Sequence, residues 1–183
     1  MKNLIRIVIA VVAVLSLGIP TSYAKSGPEI DAAVNEAIAT FKKEVNGSEV
    51  FLRHATGLLV FPKVYKAGFG VGGEYGEGAL RVGGKTVDYY KTFGGSFGLQ
   101  LGAQAKTIVI AFMTKDALQK FSNSSGWKVG VDGSVALVDI GAGKTIDTAN
   151  IKDPVVGFVF GSKGLMYNLT LEGTKFSKLD KSK

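Results

Sequence analysis

Few residues in this chain carry types and spacings that could do chemistry. Gly68-Phe-Gly70-Val-Gly72-Gly73 fits the pattern G-x-G-x-x-G. In a dinucleotide site such glycines open a helix whose N-terminal N–H groups hold the pyrophosphate. Here alternation runs on through Tyr75, and Gly76 and Gly78 would weaken any helix, so the stretch reads as a strand. Gly141-Ala-Gly143-Lys144-Thr145 is like the end of a phosphate-binding P-loop, but the glycine such a loop needs five residues before Gly143 is Val138. His54 is the only histidine, which excludes a His-rich metal site and leaves a Ser-His-Asp triad no alternative base. It reads as a structural residue on a short helix. Glu74, Glu77 and Asp88 are close in sequence and could be paired acids of a glycosidase. The alternative is that they are solvated hairpin residues. There is no cysteine, hence no disulfide, thiolate metal site, cysteine nucleophile or lipid-modified N-terminal cysteine. No ligand spacing for a metal appears, and the expectation is a non-enzymatic protein without metal or cofactor.

The elements that would position any site begin after residue 24. Lys2 and Arg6 precede an uncharged, mostly apolar run from Ile7 to Ile19, Pro20 breaks it, and Ser22-Tyr-Ala24 supplies small residues at the −3 and −1 positions of a cleavage site. This is the pattern of a secretory signal peptide. The alternative, a membrane anchor, would need about 20 apolar residues. Residues 1–24 are thus expected to be a cleaved leader, residues 25–183 a single domain, and the destination the bacterial periplasm. Cleavage takes Lys2 and Arg6 and no acid, lowering the net charge from +7 to +5. A moderate positive charge in that compartment suits anionic phospholipid or another polyanion and disfavours nucleic acid.

Ser26-Gly-Pro-Glu29 has the form of a capping box, and Ile30, Val34, Ala37, Ile38 and Phe41 follow at helical spacing. A helix is predicted over Gly27 to Glu44. Asp31, Asn35, Glu36, Lys42 and Lys43 are placed on its solvated face. Insertion of this helix into a membrane is disfavoured by Glu29, Asp31 and Glu36. A second helix is expected over Glu49 to Ala55, stopped by Gly57. From Leu58 the period changes to two. Leu58 to Phe61 reads as a short strand ended by Pro62. Phe69, Val71 and Tyr75, then Phe97, Leu99 and Leu101, alternate with glycines and polar residues. Thirteen of the 25 glycines lie between Gly57 and Gly102, leaving one strand face bare so that another backbone can approach or the sheet can bend sharply. Gly83-Gly84 and Gly94-Gly95 read as hairpin turns. Thr107 to Met113 reads as a strand, Thr114 to Phe121 as a capped helix, and Trp127 to Val131, Val135 to Ile140, Phe158 to Phe160 and Leu165 to Leu171 as further strands. Lys175 to Lys183 reads as a frayed basic tail. The expected fold is α+β, with N-terminal helices packed on a curved, barrel-like antiparallel β-sheet.

The stretch Leu59-Val-Phe-Pro62-Lys63-Val64-Tyr65-Lys66-Ala67-Gly68-Phe69-Gly70-Val71-Gly72-Gly73-Glu74-Tyr75-Gly76-Glu77-Gly78 resembles the signature of the SYLF domain. Gly164-Leu165 and Leu169-Thr-Leu171-Glu172-Gly173 look like that family's closing strand. The resemblance covers roughly Ile30 to Phe176. The family includes secreted bacterial members and eukaryotic members that bind phosphoinositides and act at membranes and actin. It implies lipid binding without catalysis; with no SH3 domain in the chain, the actin role is not carried over.

Within that stretch Lys63 and Lys66 flank Val64-Tyr65, and Arg81, Lys85 and Lys91 follow on a hairpin. If they converge, they form a basic patch beside exposed aromatic rings such as Tyr65, Tyr89 and Tyr90, a pairing that suits a headgroup interface. The lipid-binding residues expected are therefore Lys63, Tyr65, Lys66, Arg81, Lys85 and Lys91, and the expected function is peripheral binding of anionic phospholipid or a membrane surface. The alternative from another class is an envelope scaffold that binds other proteins, with an enzyme third.

Overall fold

A computed structural model describes residues 25–138, 152–163, 171 and 173–181; the side chains of 67–71, 96–104 and 162–163 are outside that description. The expected leader (residues 1–24), the Gly141–Thr145 motif and most of the strand expected over Leu165 to Leu171 lie outside the described residues. Helix α1 spans Gly27–Glu44. The Ser26 N–H and hydroxyl both donate to Glu29 Oε2 at 2.7 Å, which latches its first turn. Helix α2 (Ser48–His54) follows, entered through Gly47 at φ 86°, a left-handed conformation that costs glycine nothing.

Two very long strands dominate. β1 runs from Gly57 to Val82 and β2 from Lys85 to Phe112, joined by a tight turn at Gly83 and Gly84 with φ of 57° and 79°. They pair antiparallel along their whole length, with register shifts between Phe61 and Val64, Gly68 and Gly70, and Leu80 and Arg81. Two expectations are corrected here. Pro62 does not end a strand, because the first bulge absorbs the N–H it cannot offer. Gly94-Gly95 is not a turn; Gly94 pairs with Glu74 and Gly95 with Gly73 inside the ladder.

The hairpin folds over on itself. A Cβ built at Gly76 would meet the Lys63 carbonyl at 2.8 Å, and one at Gly78 would collide with the Val60 carbonyl and the Phe61 ring. The bare glycine parity is therefore where the second half of β1 packs onto the first. Helix α3 (Lys115–Asn123) is capped by Thr114, whose hydroxyl accepts from the Ala117 N–H at 3.2 Å. Short strands β3 (Trp127–Lys128), β4 (Ala136–Val138), β5 (Val155–Lys163) and β6 (Lys175–Lys178) complete the sheet in the order β3-β6-β2-β5-β4. The architecture is α+β, with helices on a curled sheet that forms a half-barrel. Its pairings are antiparallel except β4 with β5, which is parallel. The basic C-terminus is not a frayed tail over its first residues, since Lys175 to Lys178 pair with Phe93 to Tyr90.

Each face of the sheet buries its own cluster. The inner one joins Leu59, Phe61, Leu80, Ile108, Ile110, Phe121, Trp127 and Phe176. The outer one seats α1 and α2 on Val60, Ala79, Val109, Phe158 and Phe160. Phe41 of α1 and Phe51 of α2 both pack on Phe158, with ring centroids 4.9 and 4.8 Å apart. Aromatic pairs of this kind add about 0.5–1.5 kcal/mol beyond area burial.

Candidate functional site

Strand parity separates the carboxylates that could have formed a catalytic pair. Glu74 and Glu77 are three residues apart in unbroken ladder, so they point to opposite faces. Glu74 is inside, with Oε2 2.7 Å from Lys106 Nζ and Oε1 accepting from the Thr174 hydroxyl at 3.2 Å. Glu77 is outside, accepting from the Tyr75 hydroxyl at 2.9 Å and lying 3.4 Å from Lys181 Nζ. Asp88 pairs with Lys178 at 2.9 Å. Each of the three is held by a cation; Glu74 is buried and the Glu77 side chain is only 9% exposed, whereas Asp88, its side chain 39% exposed, is the solvated hairpin acid expected. His54 sits on α2 with Nδ1 2.7 Å from the Val50 carbonyl oxygen, one turn back on the same helix. Among the described residues, no group of three or more His, Cys, Asp or Glu side chains could hold a metal ion.

The expected lipid-binding residues occupy different regions. Lys63 is exposed in the first bulge of β1 and lines a hollow between that bulge and α1, together with Lys25, Glu36, Thr40, Pro62 and Thr107. Tyr65, 54% exposed, projects from the outer face. Lys66 follows on the opposite parity and is half-buried. Lys85 is exposed beside the glycine turn, and Lys91 is exposed opposite Glu77. Lys63, Tyr65 and Lys66 thus share one segment, while Lys85 and Lys91 sit on the far arm of the hairpin.

Arg81 is already engaged. Its Nη2 donates to the Asp31 carbonyl at 3.2 Å and to Asn35 Oδ1 at 3.0 Å, and its Nη1 donates to the Gly84 carbonyl at 3.3 Å. Asp31 also accepts from the Thr86 hydroxyl at 2.6 Å and from the Tyr89 hydroxyl at 2.9 Å. Asn35 is exposed, as expected of the solvated face, and Asp31 is half-buried; both latch α1 to the hairpin tip. The Tyr89 phenol is pushed up by burial first and by the Asp31 carboxylate second. Tyr90, placed among the exposed rings by sequence, is 1% exposed and packs on Phe121 at 4.9 Å. The reason is parity: Tyr90 shares the inner face with Thr92 and Gly94, whereas Tyr89 faces α1.

Sequence reasoning passed over Phe93, 63% exposed, and the exposed lysines Lys128 and Lys175. Lys175 was assigned to a tail, and only its pairing with Phe93 reveals its neighbour. Among the described residues, no helix is long and apolar enough to cross a membrane.

No curated protein matches the chain. Residues 93–182, from mid-β2 to the C-terminus, match the family model Ysc84, described as "Las17-binding protein actin regulator". Ysc84 is the SYLF domain, a family of binding domains, so the resemblance carried by Leu59 to Gly78 and the match over residues 93–182 agree, and just under half of this chain carries the SYLF family match.

Proposed function

We propose that the protein binds anionic phospholipid peripherally and without catalysis, in the bacterial envelope to which residues 1–24 direct it as a cleaved leader. The observation that carries this reading is the exposed Tyr65 between Lys63 and Lys66, on a segment stiffened by Pro62 and adjoining the hollow that Lys25 also lines. An exposed amphipathic ring close in the chain to the exposed Lys63, with Lys66 half-buried on the other parity, fits the boundary between headgroups and water. Lys85 and Lys91 add positive charge along the hairpin, and Arg81 contributes through its hold on α1.

Vesicle co-sedimentation tests it. Each cation near an anionic bilayer is worth about 1 kcal/mol. Lys63→Ala/Lys66→Ala is therefore expected to bind vesicles containing phosphatidylglycerol about thirtyfold more weakly. The control is Lys115→Gln/Lys152→Gln, two exposed lysines elsewhere. Equal loss in both pairs means diffuse attraction and no site. The family's description names a protein ligand, which favours a second reading, an envelope scaffold that binds proteins. Failure of the parent to bind anionic vesicles would leave that second reading in place.

A further inference from the structure

One row of exposed side chains crosses four strands on the outer face. Tyr75 of β1 lies opposite Phe93 of β2, Phe93 opposite Lys175 of β6, and Lys175 opposite Lys128 of β3. Tyr75 is 45% and Phe93 63% exposed, and both lysines are exposed. Their sequence neighbours Glu74, Thr92, Phe176 and Trp127 are buried, as strand alternation requires.

The face is uncovered on one side only. At Ala79 it is fully buried beneath the helices. On the other side of the row Gly73 pairs with Gly95; a Cβ at Gly95 would meet nothing within 4 Å, and one at Gly73 only the Gly94 carbonyl at 3.8 Å. The rings of Tyr75 and Phe93 therefore border bare backbone.

Two features of this row cost stability without serving the fold. A large apolar ring stands in water. Two lysines face each other directly, a like-charge arrangement that destabilises a sheet. Neither ammonium has a carboxylate within ion-pair distance among the described residues. Nearby acids are engaged: Glu77 with Tyr75 and Lys181, and Asp132 with the backbone N–H of Lys128 at 2.6 Å. Lys91 adds a third cation one row on. An anion brought to Lys128 and Lys175 would relieve their repulsion, and an apolar layer beside it would cover Phe93.

A phospholipid surface offers both at this spacing. We propose that the Tyr75–Phe93–Lys175–Lys128 row is the face by which the protein seats on an anionic bilayer, with Phe93 and Tyr75 at the headgroup–acyl boundary and the lysines on phosphodiester groups. This rests on the lipid-binding reading and names its surface. It sets α1 beside the bilayer with its apolar stripe still packed on the sheet.

The test uses vesicles of equal parts phosphatidylglycerol and phosphatidylcholine, with pure phosphatidylcholine as the uncharged comparison. Lys128→Gln/Lys175→Gln is expected to weaken binding about thirtyfold, at about 1 kcal/mol per cation and 1.4 kcal/mol per tenfold. Phe93→Ser is expected to weaken it by a factor that persists at high salt, because apolar insertion is not screened. Phe93→Trp should show a blue shift of added emission with the anionic vesicles alone. If the parent binds and the row variants bind as tightly, while Lys63→Ala/Lys66→Ala does not, the row proposal is overturned and the lipid reading survives. Loss equal to that of Lys115→Gln/Lys152→Gln also overturns it. If the parent ignores anionic vesicles, the lipid reading itself fails, and an acidic protein surface becomes the occupant to test.

Discussion

Lys106 Nζ lies 2.7 Å from Glu74 Oε2, with the two side chains only 4% and 9% exposed. In the ladder their partners are Val64 and Gly94, so the pair does not join neighbouring residues of the hairpin. It fastens the first half of the hairpin to the second, across the fold that Gly76 and Gly78 permit. Removing one partner strands a buried charge, at a cost of about 3–5 kcal/mol. Lys106→Met is therefore expected to lower stability by that amount in urea denaturation. Glu74→Leu/Lys106→Met should recover most of the loss, because no unpaired charge remains. A single variant as stable as the parent would show that water reaches the pair.

The glycines divide by face, and substitution should show it. Gly78 offers no room, since a side chain there meets the Val60 carbonyl and the Phe61 ring. Gly78→Val is expected to destabilise by at least the ~1–3 kcal/mol of ordinary overpacking, because backbone cannot rotate away. Gly73 is open, and Gly73→Val should change the melting temperature little or raise it through β-propensity. Similar effects at the two positions would refute the folded-over hairpin.

Much of this was legible in sequence, for definite reasons. The α1 boundaries follow from Ser26, Glu29 and the spacing from Ile30 to Phe41, all local signals. The curled sheet follows from alternation and glycine parity. What sequence could not supply was pairing at a distance. Pro62 and Gly94-Gly95 carry turn chemistry, and only a partner strand shows that a bulge or a close approach uses it instead. Glu77 and Lys181 are 104 residues apart, so neither looks paired. For the same reason the basic C-terminus resembled a solvated tail, and the Phe93–Lys175 contact was invisible.

Tyr75 should titrate abnormally. Its phenol is pushed up to about 12, by burial of the hydroxyl first and by the hydrogen bond and charge of Glu77 next. The neutral form is the favoured one, so this contribution to stability is fully present below the ordinary value of about 10. It is lost as pH rises from there through about 12. Difference absorbance of the parent against Tyr75→Phe isolates the step. Glu77→Gln should lower it only part of the way, because burial is the larger cause; a complete return to the ordinary value would reverse that order.

The last prediction concerns the C-terminal strap. Lys181 Nζ donates to the Lys25 carbonyl at 2.6 Å and lies 3.4 Å from Glu77 Oε2, with both side chains under 10% exposed. Two residues earlier the Leu179 N–H donates to the Tyr89 carbonyl at 2.8 Å, and Lys178 holds Asp88 at 2.9 Å. One lysine thus ties the end of the chain to the entry of α1 and to β1. Among the described residues, Lys181→Ala leaves Glu77 with only the Tyr75 hydroxyl and the Lys25 carbonyl without its donor, at a cost of about 1–3 kcal/mol. The comparison is Lys120→Ala, which removes an exposed i,i+4 pair with Asp116, both side chains about three-quarters exposed. Such pairs are worth about 0.3–0.5 kcal/mol. Limited proteolysis separates the two variants. Lys181→Ala should speed cleavage near Lys25 and after Lys178 together, because one contact secures both segments. Lys120→Ala should speed neither. Faster cleavage at only one of the two sites would mean that the segments are held independently.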